Sequence, residues 1–243
     1  LGHSSMQPEL TIAIPAHNEE KFIGKAIESA FRSGQLANRA IEVVVALNRC
    51  TDRTQHIAES LGAKCVVEDE RIIAAVRNAA VRGGIAPAVA TLDADSWMAP
   101  GTVAEVLRKV HDPKFIGGGS FIRFERMSVG IFFSIMAVVP HMIKRPVSAG
   151  MFWFRRETFE HLGGFDETFI SVEDVDFAMR LKAHGEKSGQ KYGTIYRECI
   201  TTSCRKFDQF GDWYLFKNPH LVRGIFTGKD RKSADAHYYD VKR

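Results

Sequence analysis

The sequence predicts an α/β domain with a Rossmann-like, mostly parallel central sheet flanked by helices, and three observations carry that expectation. Short apolar runs alternate with helical segments through residues 10–92, the pattern of repeated strand–helix units with right-handed crossovers. No Pro-, Gly- or Ser-rich linker interrupts the 243 residues, a length that one large α/β domain accommodates. The composition, 45% hydrophobic and 26% charged, is that of an ordinary globular chain.

Taken in order, "LTIAIPA" (10–16) reads as a strand and "NEEKFIGKAIESAFRSG" (18–34) as an amphipathic helix. In that helix Phe22, Ile23, Ala26, Ile27, Ala30 and Phe31 recur at helical spacing. Asn18 is placed to cap it, with Glu19 and Glu20 at the positive end of its dipole. Strands follow at 41–47, 63–68 and 88–92, with helices near 52–61 and 71–83 between them. Pro100 and Gly101 mark the next loop and helix start.

The second half is less regular. Residues 114–124 read as a strand weakened by three glycines, 148–154 as another, and 192–203 as a late strand. A short helix near 156–161 ends at Gly163 and Gly164, and 172–185 forms a helix with Val175, Phe177, Ala178, Met179 and Leu181 on one face. The apolar stretch "VGIFFSIMAVVPHMI" (129–143) is too short to span a bilayer and reads as a core helix, with membrane or acceptor contact as the lesser alternative. Residues 205–243 are mixed aromatic and basic, and residues 1–6 read as an expression scar outside the fold.

The net charge of +4 makes no case for nucleic acid as a partner, though it suits a polyanionic small ligand. Four cysteines without CxxC spacing argue against zinc and for a reducing compartment.

The chemistry concentrates where strands end. "VATLDADSWMAP" (89–100) follows an apolar run with Asp93 and Asp95, and on an extended backbone residues i and i+2 point the same way. Hard carboxylate oxygens suit Mg²⁺ or Mn²⁺, while turn formation or helix capping is the plainer use of the same residues. "IPAHNEE", "LNRCTDRT" and "RN" (77–78) end or follow other strands of the same half. In a parallel sheet these loops share one edge and enclose one crevice. Two acids aimed at a cation, with Arg71 and Arg77 nearby, suit a nucleoside diphosphate there. Singly, Asn18, Asn48 and Asp52 serve equally well as caps or turn residues.

The series "IPAHNEE", "NRCTDRT", "RN", "LDADSW", "GGFDE" and "VEDVDFAMRL", spread over roughly residues 9–206, resembles glycosyltransferase family 2, inverting enzymes with a GT-A fold. The resemblance implies a single GT-A domain over residues 7–243, with a nucleotide-binding half (7–98) and an irregular acceptor-binding half (99–243). It implies that Pro15, Ala16, His17 and Glu19 form the first nucleotide-binding loop, with Glu19 on the nucleoside. It places Asn48 where many members read the base with an Asp, Asp52 in a loop shaping that pocket, and Arg77 near the nucleotide. Asp93 and Asp95 match the DxD motif, the second coordinating Mn²⁺ or Mg²⁺ on the diphosphate and the first holding ribose or metal-bound water. Asp174 matches the catalytic base, with Glu173 beside it on the acceptor side.

Gly150 falls on a strand that lines the donor sugar in the family; its missing side chain either admits the sugar or marks a bend. Arg205 and Lys206 either reach the diphosphate from a C-terminal loop or are solvated surface charges. His237 is a lesser candidate for a metal ligand. "DQFGDW" (208–213) carries Asp212 where processive synthases of the family have an arginine, which points to a non-processive enzyme.

The expected reaction moves a sugar from a nucleoside-diphosphate sugar, UDP first with GDP or dTDP open, to an acceptor hydroxyl. The acceptor is a glycan, lipid-linked or small molecule, read by residues 115–150 and 185–243. The expected setting is cytoplasmic, with peripheral contact to the inner face of a membrane and homo-oligomerisation left open. A nucleotide-sugar-binding protein has no need of Asp174, and a nucleotidyltransferase would carry a glycine-rich loop where "IPAHNEE" has none.

Overall fold

The structure is a computed structural model describing residues 7–143, 147–148, 150–169 and 171–227. Residues 1–6 and His237 lie outside the described residues.

The first half comprises β1 (Leu10–Ala16), α1 (Ile23–Leu36), β2 (Ile41–Leu47), α2 (Thr54–Ser60), β3 (Lys64–Val67), α3 (Ile73–Arg82), β4 (Ala88–Thr91), β5 (Ser96–Trp97) and α4 (Thr102–His111). The second comprises β6 (Phe115–Phe124), α5 (Val129–Ile143), β7 (Phe152–Arg155), α6 (Arg156–His161), α7 (Glu173–Lys187), β8 (Lys191–Thr202), α8 (Arg205–Phe210), α9 (Tyr214–Lys217) and α10 (Pro219–Thr227).

All eight strands join one sheet in the order β3-β2-β1-β4-β7-β6-β8-β5. From β3 to β4 every pairing is parallel. Beyond β4 the sheet is mixed: β7 runs antiparallel to both β4 and β6, β8 parallel to β6, and β5 antiparallel to β8. Because β1 has β2 on one side and β4 on the other, the chain order reverses there. A crevice opens beyond the C-terminal ends of these strands.

Alternation along β1 divides the core between the two faces. Leu10, Ile12 and Ile14 pack with Ile23, Ala26, Ile27, Val103, Val106 and Leu107 from α1 and α4. Ala13 faces the other way, toward Ala74, Val76, Phe159, Phe177 and Leu181 from α3, α6 and α7. The glycines of β6 are required rather than weakening. A Cβ at Gly118 would collide with the Gly193 carbonyl of β8 and the ring of the fully buried Trp153.

Several expectations need correction. The first helix begins at Ile23, not residue 18, and Asn18 adopts a left-handed φ of 51°. Its Oδ1 accepts the Thr51 N–H, so it ties two loops together instead of capping a helix. The strand expected at 148–154 occupies 152–155, and residues 205–227 form three short helices. α5 is not a core helix: Ile131 and Ser134 are buried, but Val129, Phe132, Phe133 and Met136 are exposed.

Candidate active site

β1 and β4 carry their chains to one edge of the sheet, and the crevice there encloses about 670 Å³, part of it open to solvent. Its lining includes Pro15, Ala16, His17, Glu19, Asn48, Arg77, Asp93, Asp95, Arg205 and Lys206, all named from the sequence, together with Ile73, Val76 and Ala94.

Loop hydrogen bonds shape the side of the crevice beyond β1 and β2. The Asn48 N–H donates to the Ala16 carbonyl at 2.8 Å, and the Asn48 carbonyl lies 2.6 Å from His17 Nδ1. Asn48 Nδ2 donates to the carbonyls of Glu68 (2.6 Å) and Glu70 (2.8 Å). Two carbonyl partners fix which way the amide faces. Its Oδ1 is then buried with no partner, an acceptor awaiting a donor.

Asp52 stands behind this wall. Its carboxylate accepts the Thr54 N–H and hydroxyl and the Glu20 N–H, fastening the two loops. Burial raises its pKa, but these hydrogen bonds outweigh it and hold the carboxyl below its usual range.

The acidic turn is held by two arginines. β4 ends at Thr91, so Asp93 and Asp95 lie on the turn into β5 rather than on an extended strand. Arg77 Nη2 stands 3.0 Å from Asp93 Oδ1, and Arg77 Nε donates to Glu173 Oε1 at 3.0 Å. Burial alone would lower the arginine's pKa; Asp93, Glu173 and Asp174 together hold it up.

Asp95 meets Arg205 because β5 pairs with the end of β8. Ser96 and Trp97 lie opposite Thr202 and Thr201, the Ser203 N–H donates to the Asp95 carbonyl at 3.0 Å, and α8 begins two residues later. Ser203 Oγ donates to Asp95 Oδ2 at 3.1 Å. Arg205 Nη1 donates to Glu19 Oε2 at 2.6 Å, while its Nε lies 2.7 Å from Asp95 Oδ2 without an aligned hydrogen bond.

This network shows what two of the expected residues touch. Glu19 is buried, lines the crevice and pairs its Oε2 with Arg205. Glu173 is only 2% exposed and its Oε1 is turned onto Arg77, because α7 presents consecutive residues in different directions. Burial, then the like charge of Asp174, pushes its carboxyl up to about 7 against the pull of Arg77.

Asp174 is more open than Glu173. Its pKa is raised by burial, lowered by Arg77 and raised again by Asp93, so all three groups share one electrostatic neighbourhood. Val172, just before them, holds a left-handed φ of 58°, unusual for a β-branched residue and set by its burial in the core.

Gly150 is not in the crevice. A Cβ there would run into the Ile122 side chain and the Ser120 carbonyl, and its N–H donates to Ser120 at 3.1 Å. Its missing side chain serves close packing on β6, not approach of a sugar. Ser203 and the Glu19–Arg205 pair were not legible beforehand, since nothing in their spacing signals the β5–β8 pairing.

The donor set suits a divalent ion. Among the described residues no three His, Cys, Asp or Glu converge. Asp93, with its side chain 48% exposed, and Asp95 nonetheless share one turn at the crevice. Mg²⁺-type sites commonly use one or two carboxylates and complete their shell with substrate phosphates and water.

The sheet order, the crevice at its reversal and the acidic turn are those of the GT-A class of glycosyltransferases, and the comparisons agree. The mannosyltransferase PcManGT from Pyrobaculum calidifontis, solved with GDP-Man and Mn²⁺, is 21% identical, with a TM-score of 0.60 over 97% of this chain and 71% of its own. TarS from S. aureus in complex with UDP is 14% identical, with a TM-score of 0.60 over 97% and 75%. Glucosyl-3-phosphoglycerate synthase from Mycobacterium tuberculosis, solved with Mn²⁺, UDP and glucosyl-3-phosphoglycerate, is 15% identical, with a TM-score of 0.59 over 91% and 80%. No curated protein matches the chain. The profile of glycosyl transferase family 2 matches residues 11–163, and the chain belongs to that family. It is a glycosyltransferase.

Proposed function

We propose that this glycosyltransferase is metal-dependent and inverting, moving one sugar from a nucleoside-diphosphate donor to an acceptor hydroxyl. The observation that carries this reading is the clustering of Asp93, Asp95 and Asp174 around Arg77 and Arg205 at the point where the sheet order reverses.

Asp95, with Asp93 beside it, would hold Mn²⁺ or Mg²⁺, whose chemistry is to offset the negative charge that grows on the departing diphosphate. Mn²⁺ in the two structural neighbours above supports the choice of a divalent ion. The orphaned Oδ1 of Asn48 accepts a ring N–H from the base. Uracil, thymine and guanine each offer one, so UDP comes first and GDP or dTDP remain open, as the neighbours' UDP and GDP-Man complexes illustrate.

Asp174 takes the proton from the acceptor hydroxyl as that oxygen attacks the anomeric carbon. The new C–O bond forms as the bond to the diphosphate breaks on the opposite side, so the configuration inverts. Its raised pKa improves its match to a hydroxyl proton near neutral pH. Arg205, beside Asp95 and held by Glu19, would supply positive charge to the diphosphate. Glu173 positions Arg77 and does not touch substrate.

Within the single domain we assign 7–98 to the nucleotide and 99–243 to the acceptor, a glycan that is lipid-linked or small. The "DQFGDW" segment fits single addition: Asp208 and Asp212 both bind Arg126, away from the crevice. No helix among the described residues is long and apolar enough to cross a membrane.

Calorimetric titration with UDP, GDP and dTDP, each with and without Mn²⁺, tests the donor site. Tight binding of one nucleotide only with Mn²⁺, lost in Asp95→Ala, is the expected result. Binding that ignores both metal and the substitution would remove the metal from the reading.

A further inference from the structure

The second half carries an exposed aromatic face that the donor crevice does not use. Phe132 and Phe133 of α5 meet Trp213 and Phe216 beside and within α9. Ring centroids are 5.7 Å apart for Phe132–Phe133, 5.6 Å for the stacked Phe133–Trp213 pair, 5.8 Å for Phe133–Phe216 and 5.7 Å for Trp213–Phe216. Each ring is between 39% and 51% exposed, although together they form one contiguous cluster. Contiguous apolar surface of this kind marks an interaction site, unlike scattered exposed side chains.

The platform beneath is built. Arg126 pairs with Asp208 and Asp212, Ser134 Oγ donates to the Asp212 carbonyl at 2.7 Å, and Ile131, Cys204 and Phe207 pack below. The rings are therefore held outward by a fixed scaffold.

Charge decides what covers them. Residues 214–243 contain seven Lys or Arg against three Asp, a surplus of four, which equals the +4 of the whole chain. All residues up to 213 therefore balance to zero. Among the described basic residues of that segment, Lys217 on α9 and Arg223 on α10 are exposed, and both helices contact α5. A symmetric pairing of this face with a second copy would bring the Lys217 and Arg223 charges of the two copies together. An anionic surface opposes them with the complementary charge instead. Trp and Phe, which settle at the headgroup level of bilayers, make up the apolar part.

We propose that the α5–α9 face docks on the surface of an anionic lipid bilayer, with Phe132, Phe133, Trp213 and Phe216 entering the interface and Lys217 and Arg223 facing the headgroups. The crevice is coupled to this face through α8, which begins at Arg205 and leads into Trp213. Docking therefore holds the acceptor side of the enzyme close to the membrane. This inference stands apart from the donor assignment and needs no nucleotide to test.

The test is sedimentation with vesicles of phosphatidylcholine alone or with about 30% phosphatidylglycerol, alongside tryptophan emission and light-scattering mass in solution. The unaltered chain is expected to sediment only with the anionic vesicles, with emission shifting blue and the shift absent in Trp213→Phe. Phe132→Asp and the double variant Lys217→Glu, Arg223→Glu should each weaken partition about tenfold, with thermal midpoints unchanged. Three results would overturn the proposal: no sedimentation with anionic vesicles, sedimentation that both variants retain, or a dimer that Phe132→Asp dissolves. The last would assign the face to a second copy of the chain.

Discussion

Arg205 Nε lies 2.7 Å from Asp95 Oδ2, the carboxylate that we propose holds a divalent cation. The guanidinium thus stands where a second positive charge would have to enter. Arg205 is also held by Glu19 at 2.6 Å, so displacement from Asp95 does not release it from the crevice. Its pKa is lowered by burial but raised by Asp95 and Glu19, and it stays charged throughout.

Arg205→Ala should therefore separate two affinities. Mn²⁺ alone should bind more tightly, by about fivefold if the partly buried ion pair is worth roughly 1 kcal/mol. The nucleoside diphosphate should bind more weakly because its counter-charge is gone. Calorimetry on each ligand separately checks this; a parallel change in both would mean that Arg205 does not compete with the metal.

Asp174→Asn should lower turnover by roughly 10²–10⁴-fold, the range that a positioned general base contributes. Donor affinity should change by no more than about twofold, since Asp174 lies outside the crevice lining. Single-turnover rates with saturating donor measure the first, and equilibrium titration the second. Full activity in the variant would transfer the role of base to another group.

Glu173 supplies a pH dependence of stability. Its carboxyl is pushed from 4.5 up to about 7 by burial, then by Asp174, with Arg77 opposing. A carboxyl with a higher pKa folded than unfolded contributes stability that is complete below the unfolded value and lost as pH rises through the folded one. The unfolding free energy from denaturant titration should fall as pH rises from about 5 to about 8, by an amount of order a few kcal/mol. Glu173→Gln keeps an acceptor for Arg77 and removes this group's titration, so its profile should be shallower over that window, with Asp174 supplying what slope remains. Parallel profiles for the two proteins would refute the assignment.

Gly150→Ala tests what that glycine is for. The added Cβ meets Ile122 and the Ser120 carbonyl, an overpacking that costs about 1–3 kcal/mol. Stability measured by denaturation should drop while the folded fraction keeps its donor affinity. Lost affinity at unchanged stability would return Gly150 to the donor site.

Much of the first half was legible in the sequence because its signals are local. Alternation of apolar runs and helical spacing between residues 10 and 92 marks strands and helices from neighbouring residues alone, and parallel crossovers then place the loops after β1, β2 and β4 on one edge. Asn48, Arg77, Asp93 and Asp95 were recognisable for that reason, and all four line the crevice. The start of α1 was misplaced because Asn18, Glu19 and Glu20 have the chemistry of a helix cap. That chemistry is spent on Thr51 and Arg53 of the neighbouring loop and on Arg205.

What the sequence determined by itself was the class of fold, the family and the acidic turn. Each rests on short-range pattern or on motif order, which the chain carries before it folds. Only the tertiary structure decided which charges face one another. β7 enters antiparallel beside β4, β5 catches the end of β8, and Arg205 is thereby delivered to Asp95 and Glu19. It also turned Glu173 inward onto Arg77 and left the aromatic face of α5 uncovered. These contacts join residues far apart along the chain, and their energy depends on burial and distance, which no local pattern encodes.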